Sequence, residues 1–378
     1  MNTTGRPIKI LFLLTRSDTI GGSSIHVRDL CLKLMDTGEQ PIVLLGKEGY
    51  FADHLNELHI TYHSITELER EIRPLKDVKV YRELKKLIRN LNPDIVSAHS
   101  SKIGFLGRLA AHSLGIPVIF TAHGWSFTGG KNGFKRWLFK NLEGIVAKKS
   151  DSIICVSDYD CSIGLYQLPV QKGLLKTIHN GMPDVESFLM AYPEKSAPVN
   201  ICMTARFDQP KDHITLLKAL KNLTGYHLHL VGDGPLLHEI RKVAGQFGCL
   251  DHITFYGRSE EVAEILSKSQ IFTLISNWEG FPRSTLEAMR AGLPVIVSDV
   301  GGAAEAIVEG ETGFSIARGD VGMLRGKLKL LIEDAGLRQK MGKAGRKRYE
   351  DHFTFDRMFE QTYKVYEEVL AENSENEK

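Results

Sequence analysis

Ile271-Phe-Thr-Leu-Ile-Ser-Asn-Trp-Glu279-Gly-Phe-Pro-Arg-Ser-Thr-Leu-Glu287 reads as a short apolar strand, a Gly/Pro loop and the opening of a helix. A brief apolar run bounded by turn residues is the pattern of a strand covered on both faces of a parallel sheet. Two carboxylates follow it, Glu279 in the loop and Glu287 in the helix, both at the strand's carboxyl end. Ligands of open α/β sheets bind outside those ends, where carboxylates accept hydrogen bonds from sugar and ribose hydroxyls. Ser284-x-x-Glu287 is also the spelling of a capping box, in which Glu287 ties down the start of its own helix. Spacing alone leaves both roles standing.

The same strand-then-helix unit recurs outward from this stretch. Residues 8–15 form a continuous apolar run, followed by Val27, Leu30, Cys31 and Leu34 at helical spacing and by Gly38 just past the expected helix end. Further strands are expected at 95–98, 118–122 and 153–156, then at 200–205, 228–231, 253–256, 271–275 and 294–298, with a helix at 236–244. Strands alternating with helices imply parallel sheets. Between Asn180-Gly181 and Pro198 the pattern breaks into Met-Pro-Asp, Tyr-Pro-Glu and Ala-Pro, punctuation that marks a domain boundary. The expectation is therefore two doubly wound α/β domains, 1–181 and 182–354. A last helix, about 355–372, places Phe355, Phe359, Thr362, Tyr363 and Tyr366 on one stripe; periodicity does not say what buries it, and it is expected to return to the first domain. The tail 372–378 reads as disordered.

With 378 residues, 42% of them hydrophobic and 25% charged, the chain can bury a sizeable core. Its 48 basic against 46 acidic residues leave a formal charge of +2, which advertises no nucleic-acid partner. Five cysteines without a Cys-x-x-Cys pair argue against a zinc site or a disulfide framework. The apolar runs are too short for a signal-peptide core or a membrane span. A cytoplasmic protein, at most peripheral on the cytoplasmic face of a membrane, is expected.

Gly21-Gly22-Ser23-Ser24 follows a strand and opens a helix, so its backbone amides can cradle a phosphate, or simply make a tight turn. It has neither the Gly-x-Gly-x-x-Gly of a dinucleotide fold nor the Gly-Lys-Ser/Thr of a P-loop. Arg206 and Lys211 sit at the end of a strand, where they can neutralise a diphosphate without a metal. His123 ends the strand 118–122, placed to donate to a sugar hydroxyl or to be a satisfied half-buried histidine. His99 and Lys102, in Ala98-His-Ser-Ser-Lys, are weaker acceptor-side choices. Asp158-Tyr-Asp160 looks like a metal-holding Asp-x-Asp, but Ser157-x-x-Asp160 is a helix cap and the structural reading is preferred. His227 and His229 share one strand face without a third ligand. The segment 131–149 interleaves Lys131, Lys135, Arg136, Lys140, Lys148 and Lys149 with Phe134, Trp137, Leu138, Leu142 and Ile145 against one acid, Glu143. It fits an anionic membrane surface or a core-packed helix with a solvated basic face, and the sequence leaves both open.

The run from Glu279 to Glu287, with Gly292-Leu-Pro-Val-Ile-Val-Ser-Asp299-Val-Gly-Gly and Gly310-Glu-Thr-Gly313, resembles the retaining GT-B glycosyltransferases of family four. The resemblance extends over nearly the whole chain through Gly21-Gly22, Ala122-His123-Gly124, Asn180-Gly181, Ala205-Arg206-Phe207, Lys211 and Val231-Gly-Asp-Gly-Pro235. It implies two Rossmann-like domains facing across a cleft, a donor that is a sugar nucleotide (UDP by family frequency), and a saccharide or polyprenyl-linked acceptor. It further implies that Glu279 contacts the donor sugar and Glu287 the ribose, and that Gly21, Gly22, Arg206 and Lys211 approach the diphosphate. Gly280 and Phe281 belong to the same donor motif, and His123 meets the sugar. No metal or other cofactor is expected. Where the family more often shows Lys-Gly after a Gln, this chain reads Gln209-Pro210-Lys211-Asp212, a departure that bears on the loop's geometry. A sugar-nucleotide 2-epimerase of the same architecture and a non-catalytic saccharide-binding protein are the alternatives.

Overall fold

The computed structural model describes residues 6–376 apart from 19–20, 131–132 and 196. The chain divides into two units, Met1–Ile178 with Phe359–Lys378, and His179–Met358.

The first unit is built on β1 (Lys9–Leu13), β2 (Gln40–Leu45), β3 (Tyr62–Ser64), β4 (Ile95–Ala98), β5 (Val118–Ala122), β6 (Ser152–Cys155) and β7 (Leu175–Thr177). They form a seven-stranded sheet in the order β3-β2-β1-β4-β5-β6-β7, parallel at every pairing. β4, β5 and β6 are buried at every position, which is why their sequences are mostly apolar, with only Ser97, Thr121 and Ser152 polar, rather than alternating. The sequence reading did not name β2, nor the strand Gly313–Ile316 of the second unit, nor the short outer strands β3 and β7, whose residues are mostly only half-buried.

The second unit carries β8 (Val199–Thr204), β9 (Tyr226–Val231), β10 (Ile253–Gly257), β11 (Ile271–Leu274), β12 (Val295–Ser298) and β13 (Gly313–Ile316). Their six-stranded sheet runs β10-β9-β8-β11-β12-β13, again all parallel. Both strand orders reverse direction once, between β1 and β4 in one unit and between β8 and β11 in the other. Each sheet is thus doubly wound, with a crevice at the carboxyl ends of its switch-point strands.

The helix Phe355–Asn376 passes from the second unit into the first, the change falling between Met358 and Phe359. Its Tyr363 hydroxyl donates to Glu39 Oε1 at 2.6 Å, and Glu368 pairs with Lys176. The helix continues to Asn376, through the part of 372–378 expected to be disordered; residues 377–378 lie outside the described set. Among the described residues, no helix is long and apolar enough to cross a membrane.

Candidate functional site

At the switch point of the second unit, the loop after β8 and the loop after β11 are stitched together. The Asn277 amide donates to the Pro210 carbonyl at 2.6 Å, its side chain to the Gln209 carbonyl at 3.1 Å, and the Asp212 amide to the Ile275 carbonyl at 2.8 Å. Asp212 also caps the helix His213–Leu220, accepting from the Thr215 amide at 3.0 Å. The unusual Gln-Pro-Lys-Asp stretch therefore forms an anchored loop, and it delivers Lys211 to Glu279. Lys211 Nζ pairs with Glu279 Oε1, to which Ser276 Oγ also donates at 2.6 Å. The two side chains keep 16% and 11% of their surface exposed, so the pair is sheltered yet reachable. A carboxylate held by a cation and a hydroxyl on one oxygen retains lone pairs for a ligand's hydroxyls, and the ammonium retains protons for a phosphate.

Glycine makes this approach possible. A Cβ on Gly301, whose φ is +58°, would run into the carbonyl oxygen of Glu279, and the Gly302 amide donates to the Gly280 carbonyl at 2.9 Å. Gly232 and Gly234, with φ of +142° and +158°, bring their backbones equally close to the carbonyls of Ala205 and Phe207. On that loop Arg206 is largely exposed and pairs with Asp208 at 3.1 Å. Phe281 turns its ring inward, 4.7 Å from His179 and 5.4 Å from Phe353, so only its backbone is open to a ligand.

Glu287 lies half-buried in the helix Arg283–Arg290. That helix starts after Pro282 with no side-chain cap, so Ser284 is already inside it and the capping box does not form. Proline supplies the helix entry by its preset φ of −73°, leaving Glu287 without a capping duty.

The carboxyl edge of the first unit carries a bare helix start and a pair of histidines alongside its ion pairs. Gly21 is the N-cap of the 15-residue helix Gly22–Asp36, with an extended backbone (φ −129°), no side-chain cap and no acid in the first turn. A Cβ there would meet nothing within 4 Å. The backbone is not a left-handed turn, so the fold does not require glycine here, while an approaching anion would benefit from bare amides at a positive helix end. His123, after β5, accepts or donates at Nε2 with His99 Nδ1 at 3.2 Å, and His99 Nε2 lies 2.9 Å from Ser97 Oγ. Burial, with His123 beside it, holds the His99 imidazole well below its usual range, and the ring is only 2% exposed. Lys102 pairs with Asp77 at 2.6 Å. The nitrogens of His26, His99 and His123 lie within 4.8 Å of one another, a donor type that zinc accepts, although the His99–His123 hydrogen bond uses one nitrogen of each.

Residues 20–184 match the family described as Glycosyltransferase Family 4, and residues 188–348 match Glycosyl transferases group 1. The chain belongs to the GT-B glycosyltransferases of family four. An Escherichia coli relative named UDP-Gal:alpha-D-GlcNAc-diphosphoundecaprenol alpha-1,3-galactosyltransferase is 29% identical, over 88% of this chain and 90% of its own. The putative glycosyltransferase EpsD of Bacillus subtilis is 29% identical over 72% and 76%. Among solved structures, Anabaena HepE in complex with UDP and glucose superposes with a TM-score of 0.79 at 19% identity, covering 95% of this chain and 99% of that one.

Within this glycosyltransferase Asp160, the second acid of the Asp-x-Asp, has a structural role. Ser157 Oγ accepts from the Asp160 amide at 3.0 Å and donates to Asp160 Oδ2 at 2.9 Å, with Asp160 buried. His227 and His229 hydrogen-bond across the sheet to Thr254 and Tyr256, at 2.8 and 3.0 Å. Lys131 lies outside the described residues, but the helix Gly133–Ala147 leaves Phe134 72%, Trp137 60% and Ile145 55% exposed. Glu143, its one acid, turns inward to Arg108 at 2.6 Å. The sequence reading missed Ser97, Ser276 and Asn277; they carry no motif of their own and act only through partners brought in by the fold.

Proposed function

We propose that this glycosyltransferase moves a sugar with retention from a UDP-sugar to a hydroxyl of a saccharide or polyprenyl-linked saccharide, in cell-surface glycan synthesis and without a metal. The observation that carries the reading is the Lys211–Glu279–Ser276 cluster at the carboxyl ends of β8 and β11, with Glu287 on the next helix. Glu279 orients the sugar ring, Glu287 accepts from the ribose, and Lys211, Arg206 and the amides at Gly21 and Gly22 stabilise charge developing on the departing diphosphate. His123 meets the sugar. The acceptor hydroxyl attacks the anomeric carbon on the face that the diphosphate leaves, and the leaving phosphate oxygen takes the hydroxyl proton, so no protein nucleophile is required and neither glutamate serves as one. The relative that acts, by its name, on a diphosphoundecaprenol-linked sugar supports a lipid-linked acceptor.

That acceptor class places the enzyme at the cytoplasmic membrane face, with Phe134, Trp137 and Ile145 entering the interface beside Lys135, Arg136, Lys140 and Lys148. The deciding experiment screens sugar nucleotides for UDP release and follows the product's anomeric proton by NMR. The donor's configuration is expected to be kept, and an inverted product overturns the reading. Activity is expected to survive EDTA, and flotation with anionic vesicles is expected to fail in the Lys135→Glu/Arg136→Glu variant.

A further inference from the structure

We infer that a hollow at the carboxyl edge of the first unit takes the diphosphate of a lipid-linked acceptor, gripped by Lys47 and Arg70, while Ile72, Leu75 and Val78 receive the start of its isoprenoid chain. The inference rests on the reading that the acceptor is lipid-linked. The hollow encloses about 300 Å³ between three segments, Thr15 to Asp18 after β1, Lys47 after β2 and Leu68 to Arg70 after β3. Its walls are fixed by the backbone. The Phe51 amide donates to the Ser17 carbonyl at 2.8 Å, the Thr15 amide to Ser100 Oγ at 2.9 Å and the Leu68 amide to the Ile65 carbonyl at 2.9 Å. A Cβ on Gly46 would run into the carbonyl oxygens of Thr15 and Leu68, so glycine lets these segments close up.

Charge decides what the hollow accepts. Three cations and two acids line it, and both acids are already held. Arg16 donates twice to Asp18, at 2.9 and 2.7 Å, and this hydrogen-bonded pairing, with the Lys47 charge adding least, keeps the Asp18 carboxyl below its usual range. Glu69 meets Lys76 at 3.0 Å and Arg73 at 3.1 Å. Among the described residues, the side chains of Lys47 and Arg70 make no ion pair and no hydrogen bond, and both are exposed. Two such charges on a fixed frame favour a compact polyanion, because arginine grips phosphate oxygens as a fork and lysine adds a point charge.

The lip of the hollow is apolar. Two residues past Arg70 the chain exposes 51% of Ile72, then 87% of Leu75 and 50% of Val78, the last two on one side of the helix Pro74–Leu91. Lys102 pins the start of this strip, donating to the Glu71 carbonyl and pairing with Asp77 at 2.6 Å. Large apolar side chains left bare beside a cationic hollow match an amphipathic ligand, an anionic head followed by a hydrocarbon chain. A hollow of about 300 Å³ admits the head and not a long chain, so the chain has to leave along the lip. Farther down the helix Lys79, Arg82, Lys86 and Arg89 continue the exposed face of Leu75, with Glu83 the single acid between them. Those four cations fit the anionic lipids among which such an acceptor sits, which favours a lipid over free pyrophosphate as the source of the diphosphate.

The test is calorimetric titration of the full chain, with UDP present to fill the donor site, using farnesyl diphosphate, inorganic pyrophosphate and farnesol as probes. Farnesyl diphosphate is expected to bind once per chain, pyrophosphate roughly tenfold more weakly and farnesol not measurably. Lys47→Ala and Arg70→Ala are each expected to weaken farnesyl diphosphate and pyrophosphate alike by roughly tenfold, with melting profiles unchanged. Ile72→Ser and Leu75→Ser are expected to weaken farnesyl diphosphate alone, by roughly threefold each. Undetectable binding of farnesyl diphosphate overturns the inference, as does binding that survives both charge variants. Pyrophosphate binding as tight as that of farnesyl diphosphate overturns the assignment to a lipid. If no sugar nucleotide is turned over while the probes behave as described, the proposed function fails and the site stands; if Lys47→Ala and Arg70→Ala glycosylate a lipid-linked acceptor as well as the wild type, the function stands and the site fails.

Discussion

Arg108–Glu143 in the first unit and Lys211–Glu279 in the second are both short cation–glutamate pairs whose partners come from different elements, and the two are built for opposite purposes. In the first unit, Arg108 of the helix Ser101–His112 meets Glu143 of the helix Gly133–Ala147 at 2.6 Å, with 0% and 5% of the side chains exposed. Arg108 also donates to the Gly104 carbonyl at 2.9 Å and lies 4.0 Å over the Phe120 ring, so its protein neighbours surround it. In the second unit, Lys211 and Glu279 meet at a sheet's switch point, keep more exposed surface, and have lone pairs and protons to spare. A pair closed on all sides ties two helices together, whereas a pair left ajar at carboxyl strand ends can exchange part of its bonding for a ligand.

The comparison breaks most visibly if the two glutamates are removed in turn. Glu143→Ala leaves an arginine buried without its counter-charge and should cost about 3 kcal/mol or more in urea denaturation, while the folded fraction keeps wild-type turnover. Glu279→Ala and Lys211→Ala should instead lower UDP release by about 100-fold with the melting temperature nearly unchanged. A stable Glu143→Ala protein, or an active Lys211→Ala enzyme, would erase the distinction.

Acid titrates the neutral groups that both units keep inside. Burial, followed by the nearby Lys211 charge, holds His213 at about 4 instead of 6.5, and its ring stacks on Phe207 at 4.2 Å. His99 is depressed in the same direction. Below about pH 6.5 the unfolded chain takes up protons that the native rings refuse, so stability is full above that pH and falls as pH drops toward the native values. At pH 5.0, His213 alone should cost about 2 kcal/mol relative to pH 7.5, measured by chemical denaturation at the two pH values. A flat stability profile across that window would contradict its burial.

The smallest effect sharpens the contrast between structural and ligand-facing acids. Ser157→Ala removes the cap that holds Asp160 and should cost about 1 kcal/mol, and Asp158→Ala should leave turnover unchanged with or without added manganese. A manganese-dependent loss in Asp158→Ala would return the Asp-x-Asp to the chemistry.

Much of this was legible in the linear chain because parallel sheets buried on both faces write themselves as mostly apolar runs. β4 and β5 fall on the residues read as strands, and the other strands named differ only at their ends. The short strands β3 and β7 lack that signal, and β2 and β13, which open on Gln40-Pro41 and Gly313, were not named either. Spacing left the role of Ser284 open because the pattern of a capping box does not reveal where the helix begins, and Pro282 begins it earlier. The aromatic residues of the helix Gly133–Ala147 could not be assigned to core or surface by period alone, since both readings share one spacing; the structure leaves Phe134 and Trp137 outside.

By itself, then, the sequence determined the alternation of strands and helices, the family, and the loop that carries Glu279. Those depend on residues close together in the chain, where apolar periodicity and glycine or proline punctuation act locally. Only the tertiary structure decided that Lys211 meets Glu279, that Glu143 turns inward to Arg108, and that Tyr366 reaches Ser97 and through it His99 and His123. Each of those pairings joins residues on different elements, and strand order and helix packing, rather than spacing, bring such residues within hydrogen-bond reach.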